Sequence, residues 1–339
     1  MSTSGWAVVG LDTGGTAINA TVLDADGRFL VDGLVETPSR VHDGPAVAVA
    51  ALVEAMEAVL QSTGTARESV RAVGLDTPGP ASAEGVISSK GATNFSDPEW
   101  HRFDVRGALQ DRIGVPVVYN NDGNAAALYA HHRHFGNCAN ERSSASIIVG
   151  TGLGGGIIES GRVISGAAGM AGELGHVHIP MTGLLEPDQP TPRCNCGFEA
   201  DGESVASLSG IINNLLPYWL IRYPEHPLHG MSITEAAKRV RRYGERADEM
   251  ARKLFAQQAT AIGRVFTIIA NVLDPDTYFV GGGIVEAEQE FRDWFMSVVK
   301  ENTVLRAEQV GVAALAVVPD LDMAGARGSA IAAAAAPVV

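Results

Sequence analysis

The feature that most constrains the fold is a strand–glycine turn–strand pattern that occurs twice in the chain. The first copy spans residues 6–23, with Asp12-Thr-Gly-Gly-Thr16 between two apolar segments. The second spans residues 144–160, with Gly150-Thr-Gly-Leu-Gly-Gly-Gly156 at its turn. Each glycine turn joins two predicted strands, whereas a Rossmann motif opens a long helix and a Walker A loop carries Gly-Lys-Ser/Thr. The pattern therefore argues against both of those nucleotide-binding motifs.

Glycine turns of this kind suit a phosphate ligand. Without a Cβ the backbone can come close to a phosphate, and its N–H groups can point at the anion. Either turn alone is equally compatible with an ordinary hairpin, but two of them predict a duplicated nucleotide clamp with one turn from each domain. A third turn, Gly281-Gly-Gly283, follows a predicted strand and precedes a helix expected to begin near Glu286. Its backbone amides are candidates to contact an adenine or a ribose.

A lone carboxylate, Asp122, follows the predicted strand 115–119 and precedes the predicted helix 125–134. Asn124 is the expected N-cap of that helix. In α/β proteins, ligands bind at the carboxyl ends of strands. A carboxylate placed there can accept a proton from a substrate hydroxyl or bind a metal. The alternative is that Asp122 merely caps the helix.

Two cysteines, Cys194 and Cys196, lie one residue apart, with His176 upstream and Asp201 and Glu203 downstream. Two thiolates, an imidazole and a carboxylate can form a tetrahedral zinc site. Because Cys-x-Cys is less specific than paired Cys-x-x-Cys motifs, two incidental thiols remain the alternative. The chain has 3 cysteines in 339 residues, which is no disulfide framework and favours a reducing compartment.

Length and composition narrow the class of protein. A chain of 339 residues with 46% hydrophobic residues is long enough for two domains with substantial cores. Its formal charge of −14 argues against a nucleic-acid surface, which needs clustered Lys and Arg. The apolar segment 6–11 is too short for a signal peptide, and the longer apolar segments contain charges or glycines, so no membrane span is expected. These features predict a soluble cytoplasmic protein.

Taken together, the motifs resemble those of the actin-like ATPase fold that sugar kinases share, and more narrowly those of the ROK family (repressors, open reading frames and sugar kinases). The matching motifs run almost from end to end of the chain: Asp12-Thr-Gly-Gly-Thr16, Thr77-Pro-Gly-Pro80, Asn121-Asp122 with Asn124-Ala-Ala-Ala127, Gly150-Thr-Gly-Leu-Gly-Gly-Gly156, Glu173-Leu-Gly-His176, Cys194-x-Cys-Gly197, and Asp274-Pro-Asp276 through Gly281-Gly-Gly283.

The resemblance implies an α/β protein of the actin-like ATPase (ribonuclease H-like) fold, with two domains around a central cleft. We expect an N-terminal α/β domain of residues 1–121, completed by a C-terminal helix at residues 320–339. A larger α/β domain of residues 122–319 is expected to carry the sugar- and zinc-binding segment.

The resemblance also implies ATP-dependent phosphorylation of a hexose at its 6-hydroxyl, with glucose expected first and N-acetylglucosamine or N-acetylmannosamine as the alternative. Asp122 matches the family's catalytic base. The positions that match sugar contacts are Asn94, Asn121, Glu173, His176 and Glu203. The positions that match the binding site for ATP and Mg²⁺ are Asp12, Gly14, Gly15, Thr16, Gly150, Thr151, Gly152, Gly154 and Gly282. The positions that match a structural zinc site are His176, Cys194 and Cys196, with Asp201 as the fourth ligand.

Two positions depart from the family pattern. Asp201 stands where the family usually has a third cysteine; a carboxylate oxygen is an acceptable zinc ligand, and His178 is a spare candidate. Ala17 stands where family members often have Lys, which removes a positive charge beside the first glycine turn. The second departure leaves the choice of phosphoryl donor, ATP or polyphosphate, open.

Three other functions fit the sequence less well than a kinase. A sugar-responsive repressor of the same family carries an N-terminal helix-turn-helix, for which the segment before Asp12 leaves no room. A sugar sensor without catalysis is compatible with Ala17, but it has no need of Asp122 and two glycine turns. An actin-like chaperone has no need of Glu173-x-x-His176 or Cys194-x-Cys196. A homodimer is the family's usual state, and no nucleic-acid or membrane partner is expected.

Overall fold

The fold is described from a computed structural model, which describes residues 5–79, 81–88, 95 and 97–336. The strands are β1 Ala7–Thr13, β2 Ala17–Asp24, β3 Val35–Pro38, β4 Val70–Thr77, β5 Val117–Asn121, β6 Ser144–Val149, β7 Leu153–Glu159, β8 Arg162–Val163, β9 Thr277–Gly282 and β10 Ala314–Val317. The α-helices are α1 Pro45–Thr63, α2 Val105–Ile113, α3 Asp122–Phe135, α4 Glu203–Ala206, α5 Leu208–Gly210, α6 Leu216–Arg222, α7 Ile233–Glu245, α8 Glu249–Val272, α9 Gln289–Glu301 and α10 Ala324–Ala335. A π-helical segment occupies Ile211–Leu215, and short 3-10 turns occupy Val41–Asp43, Arg67–Ser69, Pro98–Trp100, Gly136–Glu141, Leu174–His176, Pro227–Gly230 and Leu321–Met323.

The chain divides into two compact units. The first is made of the described parts of Met1–Glu141, Gly156–Gly172 and Pro319–Val339, and the second of Arg142–Gly155 and Glu173–Val318. Helix α3 therefore groups with the first unit, not with the larger second domain to which the sequence analysis assigned it. The physical reason is that α3 packs along α10, the helix that returns to the first unit at the end of the chain.

Within the described residues, five strands form the sheet of the first unit in the order β3-β2-β1-β4-β5. Strand β1 is antiparallel to β2 and parallel to β4, and β4 is parallel to β5. Strands β1 and β4 are buried along nearly their whole length, as their runs of Val, Leu and Ala predict. The register pairs Asp12 with Asp76 and Asp76 with Asn120, so the carboxyl ends of three neighbouring parallel strands meet at one edge.

Helix α10 lies on one face of this sheet at very short range. A Cβ on Gly10 of β1 would overlap the Ala326 carbonyl oxygen, and a Cβ on Gly74 of β4 would overlap the Ser329 carbonyl oxygen. The helix sequence Ala-Gly-Ala-Arg-Gly-Ser-Ala-Ile has mostly small side chains, which permits this approach. The other face of the sheet carries the main core of the unit, in which Leu52, Met56 and Trp100 are buried.

Helix α1 is long and apolar enough, by length and composition alone, to cross a membrane, although the sequence analysis expected no such segment. Buried residues make up 44% of its apolar window, and Ala55, Met56 and Val59 belong to the core of the first unit. Because a core helix meets the same criterion, this is weak evidence for a membrane span.

The second sheet has the strand order β10-β9-β6-β7-β8 among the described residues. Strand β9 is parallel to both β6 and β10, and the boundary between the two units falls within β7. The rest of the second unit is mainly helical. Helix α8 is its longest helix, and its buried residues include Leu254, Ile262 and Val265.

Several element boundaries differ from the sequence predictions. Strands β3 and β10 are short, with four residues each. The helix expected from Ala125 begins at Asp122. The helix expected near Glu286 begins at Gln289, because residues 283–287 form turns.

Candidate functional site

Asp122 is the first residue of α3 and is exposed. The N-cap is Asn121, whose side-chain oxygen accepts a hydrogen bond from the Asn124 N–H at 2.7 Å. The prediction that Asn124 caps the helix is therefore wrong; Asn124 is buried one turn inside it. Asp122 Oδ1 also accepts a hydrogen bond, from the Gly123 N–H at 2.8 Å. Its carboxylate stands at the positive end of the helix dipole, where an anion is stabilised.

A second carboxylate, which is buried, lies in the same unit. The register places Asp76 between Asp12 on β1 and Asn120 on β5. Asp76 is fully buried, and Ser329 Oγ donates a hydrogen bond to it at 2.7 Å. Burial and the neighbouring negative charges of Asp12 and Asp122 raise the pKa of Asp76 well above its ordinary value. Sequence reasoning gave Asp76 no role, although its place at the end of a parallel strand was a usable signal.

The turn between β1 and β2 is a tight hairpin. The Gly14 N–H donates to the Ala17 carbonyl oxygen at 2.8 Å, and the Ser39 N–H donates to the Thr16 carbonyl oxygen at 3.0 Å. Thr16 is exposed, and Gly15 is half-buried. The turn thus satisfies the hairpin interpretation of the motif, and phosphate binding by its backbone stays a prediction.

The second glycine turn is shorter than expected, because β7 begins at Leu153 and Gly154 lies within the strand. Its exposed part consists of Gly150 and Thr151. The Leu208 N–H donates to the Gly150 carbonyl oxygen, and the Ser209 N–H donates to the Thr151 carbonyl oxygen, both at 3.0 Å. The turn is therefore held by backbone groups that come from outside its own hairpin.

The third glycine segment is partly strand. Gly282 lies in β9 with φ of 91°, and a Cβ there would overlap the backbone of Val149 on β6. The Gly283 N–H donates to the Val149 carbonyl oxygen at 3.2 Å. The structure thus explains why glycine stands at position 282, and a nucleotide contact there stays a prediction.

The four predicted metal ligands come together within the second unit. One ligand atom from each of His176, Cys194, Cys196 and Asp201 lies within 4.8 Å of all the others. His176 Nδ1 is 3.1 Å from Asp201 Oδ2, 3.6 Å from Cys196 Sγ and 3.9 Å from Cys194 Sγ. Zinc bonds of about 2.0–2.3 Å in a tetrahedron give ligand-to-ligand distances of about 3.3–3.8 Å. The set fits such an ion, and His178 does not belong to it.

The protonation of this cluster reflects its tight packing. The hydrogen bond to Asp201 raises the pKa of His176 to about 9. Burial alone raises the pKa of Asp201, but hydrogen bonds from His176 and Ser204 bring it below its ordinary value. Burial raises the pKa of the Cys194 thiol. A bound cation replaces protons on imidazole and thiol groups, so metal affinity at such a site depends on pH.

Three of the predicted sugar-contacting residues are neighbours in the second unit. Burial raises the pKa of Glu173, and the nearby charges of His176 and Glu203 act on it in opposite directions. Glu203 Oε2 accepts a hydrogen bond from the Leu153 N–H at 2.9 Å. Of the other two predicted positions, Asn121 lies in the first unit, and Asn94 falls outside the described residues.

Comparison with known proteins decides the family. The ROK family model matches residues 8–336. The chain belongs to the ROK family. It is 30% identical over 286 residues to a glucokinase of Halalkalibacterium halodurans, with 82% of this chain and 81% of the relative covered. It is 28% identical to an N-acetyl-D-glucosamine kinase of Escherichia coli, with 81% of this chain and 83% of the relative covered.

Solved structures of ROK proteins are similar over nearly the whole chain. The ROK hexokinase of Thermus thermophilus has a TM-score of 0.75 and 30% identity, covering 97% of this chain and 98% of its own. The ROK glucokinase of Streptomyces griseus, solved with glucose and AMPPNP, has a TM-score of 0.69 and 26% identity, covering 97% and 100%. These ROK sugar kinases have the actin-like ATPase fold, so the predicted family and fold class are confirmed.

Proposed function

We propose that this ROK protein is an ATP-dependent sugar kinase that transfers the γ-phosphoryl group of ATP to the 6-hydroxyl of a hexose, with glucose as the first candidate. The observation that carries the proposal is the position of Asp122 in a chain similar to glucokinases along its length. An exposed carboxylate is held at the first residue of α3, where Asn121 is the N-cap and the Gly123 N–H donates to Asp122 Oδ1 at 2.8 Å.

Asp122 is proposed as the general base. Phosphoryl transfer passes through a loose transition state, so an enzyme accelerates it mainly by positioning the reactants and balancing charge. The Asp122 carboxylate accepts a hydrogen bond from the sugar hydroxyl and orients its oxygen towards phosphorus. It then takes the hydroxyl proton as the new P–O bond forms and the bond to ADP breaks.

The glycine turns are proposed to hold the nucleotide. Backbone N–H groups of residues 15–16 and 151–152 bind phosphate oxygens, and the absence of side chains at the glycines allows close approach. The N–H groups of Gly14 and Gly150 instead shape the turns, by donating to the carbonyl oxygens of Ala17 and Gly152. Asp12, at the end of β1, is proposed to hold Mg²⁺ directly or through water. When bound, Mg²⁺ neutralises phosphate charge. The remaining proposed nucleotide positions are Gly154 in β7 and Gly282 in β9.

The second unit is proposed to bind the sugar through Glu173, His176 and Glu203. Carboxylates accept hydrogen bonds from sugar hydroxyls, and imidazole donates or accepts them. Asn121 and Asn94 are proposed to add side-chain amides, each of which carries hydrogen-bond donors and an acceptor. His176, Cys194, Cys196 and Asp201 would hold a structural Zn²⁺ through Nδ1, two sulfurs and one carboxylate oxygen. That ion would cross-link the segment and take no part in the reaction.

A coupled ADP-release assay over a panel of hexoses and N-acetylhexosamines tests the proposal. We expect one sugar to stimulate ADP release, and Asp122→Asn to lose about 10²-fold or more of kcat with sugar binding retained. Asp111→Asn, an exposed acid on α2, is the matched control and keeps its rate. A wild-type protein that binds sugar and consumes neither ATP nor polyphosphate would instead be a sugar sensor. Ala17, which replaces the usual Lys beside the first glycine turn, would then be the first residue to test as the cause.

The second candidate is an N-acetylhexosamine kinase. Similarity to N-acetyl-D-glucosamine kinases favours it, at 28% identity against 30% for the glucokinase. The same panel separates the two, because kcat/KM for glucose and for N-acetylglucosamine are compared directly.

We further propose that the protein is a cytoplasmic homodimer. Thiols that remain reduced at the metal site favour a reducing compartment, and the family resemblance supports the dimer. Light scattering on the purified protein tests the dimer.

A further inference from the structure

The segment that begins at Glu203 holds the second glycine turn at three points. Leu153 N–H donates to Glu203 Oε2 at 2.9 Å. The two other bonds run from the N–H groups of residues 208 and 209 to the carbonyl oxygens of residues 150 and 151, each at 3.0 Å. All of these residues belong to the second unit. The position of the turn therefore depends on the segment that starts two residues after Asp201.

The other oxygen of the same carboxylate points to the metal-ligand cluster. Cys194 Sγ donates a hydrogen bond to Glu203 Oε1 at 3.2 Å. One side chain thus spans the distance between a proposed zinc ligand and the backbone of the glycine turn. The contact also explains a glycine: a Cβ on Gly152 would lie 2.7 Å from Glu203 Oε2, so a larger residue displaces the carboxylate.

Packing reinforces this connection. The Leu153 side chain is buried, and a Cβ on Gly202 would come within 3.4 Å of its Cδ2. A Cβ on Gly175 would overlap the Leu153 carbonyl oxygen. Residues 175 and 202 belong to the two segments that carry the proposed sugar contacts and zinc ligands. The first residue of β7 is therefore fixed between both segments, and movement of either one is transmitted to the turn.

We propose that Glu203 is a positioning residue for the nucleotide, which couples the sugar-binding segment to the glycine turn at residues 150–152. The proposal rests on the proposed function, because it assigns this turn to phosphate and Glu203 to the sugar. A sugar hydroxyl that donates to Oε1 fixes the carboxylate and so the bond from Oε2 to the Leu153 N–H. The turn is then already ordered and loses less conformational freedom when it binds phosphate. By thermodynamic linkage, bound nucleotide tightens sugar binding by the same factor.

The first test measures nucleotide binding with no sugar present. Titration calorimetry of the full chain with Mg²⁺ and AMPPNP compares wild type, Glu203→Ala, Glu203→Gln and Glu199→Ala. Loss of a hydrogen bond to a charged group predicts about ten- to a hundredfold weaker binding for Glu203→Ala. Glu203→Gln keeps an acceptor for the Leu153 N–H and recovers part of the loss. Glu199→Ala, at an exposed acid paired with Arg193, is the control and keeps the wild-type affinity for AMPPNP. Equal AMPPNP affinity in all four proteins overturns the coupling.

The second test approaches the same contact from the turn, with glucose as the probe and no nucleotide. Gly152→Ala displaces the Glu203 carboxylate and is expected to weaken glucose binding several-fold, about as much as loss of one hydrogen bond. Gly230→Ala, in the same unit, is the matched control, because an added Cβ there meets no atom within 4 Å, and it binds glucose as wild type does. Equal glucose affinity in the two variants overturns the coupling, provided that their melting temperatures show both to be folded.

The two tests also separate this proposal from the function on which it rests. A wild-type chain that binds glucose but no AMPPNP overturns the nucleotide assignment and the proposal with it. A wild type that binds both and phosphorylates glucose, together with Glu203→Ala that binds AMPPNP normally, leaves the kinase intact and removes the coupling alone.

Discussion

Asp76 shows how a residue's role depends on partners that are remote in the sequence. Its carboxyl group is fully buried, lies beside Asp12 in the register of β1 and β4, and accepts a hydrogen bond from Ser329. Ser329 is 253 positions away in the chain, so no local sequence pattern predicts that the two residues are in contact. The four metal-ligand candidates were accessible to sequence reasoning for the opposite reason. Their residue types are restricted, and three of them lie between residues 194 and 201.

The burial of Asp76 predicts a pH-dependent stability. Its pKa in the folded state is raised above the ordinary value of 3.8, so its favourable contribution is complete below pH 3.8 and is lost as pH rises through the folded pKa. Asp76→Asn cannot ionise, and its amide retains groups to pair with Ser329 and Asp12. We expect the melting temperature of Asp76→Asn to exceed that of wild type at pH 8, by ~2–4 °C for each kcal/mol gained, and the gain to shrink towards pH 4.

Scanning calorimetry from pH 4 to pH 8, without nucleotide or Mg²⁺, measures this difference. Asp293→Asn, at an exposed position on α9, is the control and is expected to show no gain that grows with pH. A constant difference between Asp76→Asn and wild type across the range would contradict a raised pKa at Asp76.

At the scale of elements, the sequence predicted most strands and helices but misplaced ends where glycine or a side-chain cap decides them. Strand β7 includes Gly154-Gly-Gly156, which propensity assigns to a loop because glycine is a poor strand former. Tertiary packing requires glycine at position 156, because a Cβ there would lie 2.6 Å from the Ala127 Cβ. Likewise, Asn121 and not Asn124 is the N-cap, as the hydrogen bond from the Asn124 N–H to Asn121 Oδ1 shows. Because both residues are asparagine, residue preference could not distinguish them.

The segment 194–201 has only isolated bridges and turns for secondary structure. We therefore expect its order to depend on the metal that its side chains would hold. We predict that the chain purified without chelator contains about one zinc ion and that Asp201→Ala lowers zinc affinity about tenfold or more. Glu199→Ala is the matched control, because Glu199 is an exposed acid of the same segment, paired with Arg193 outside the cluster. Elemental analysis and competition with a chromogenic chelator measure both quantities. Metal-free wild type, or equal affinity in the two variants, would refute the site.

At the scale of the whole molecule, the return of the chain to the first unit is what the sequence could least specify. An alanine-rich helix was predicted at the C-terminus, and residues 320–339 were expected to complete the N-terminal domain. The surface against which the helix packs was not predictable, because it is created by glycines in two strands far away. Gly10 and Gly74 leave no side chain between the sheet and α10, so the two backbones approach directly.

This close approach predicts that a methyl group added at Gly74 destabilises the first unit. In Gly74→Ala the new Cβ would overlap the backbone of Ser329, which is part of a buried helix and cannot rotate away as a side chain can. Displacement of α10 also weakens the hydrogen bond from Ser329 to Asp76. We expect a loss of about 2–5 kcal/mol in the free energy of unfolding, measured by urea denaturation. Gly33→Ala is the matched control, since an added Cβ there meets no atom within 4 Å and its φ is not positive. A Gly74→Ala protein as stable as the Gly33→Ala protein would show that α10 does not rest on the strands through direct backbone contact.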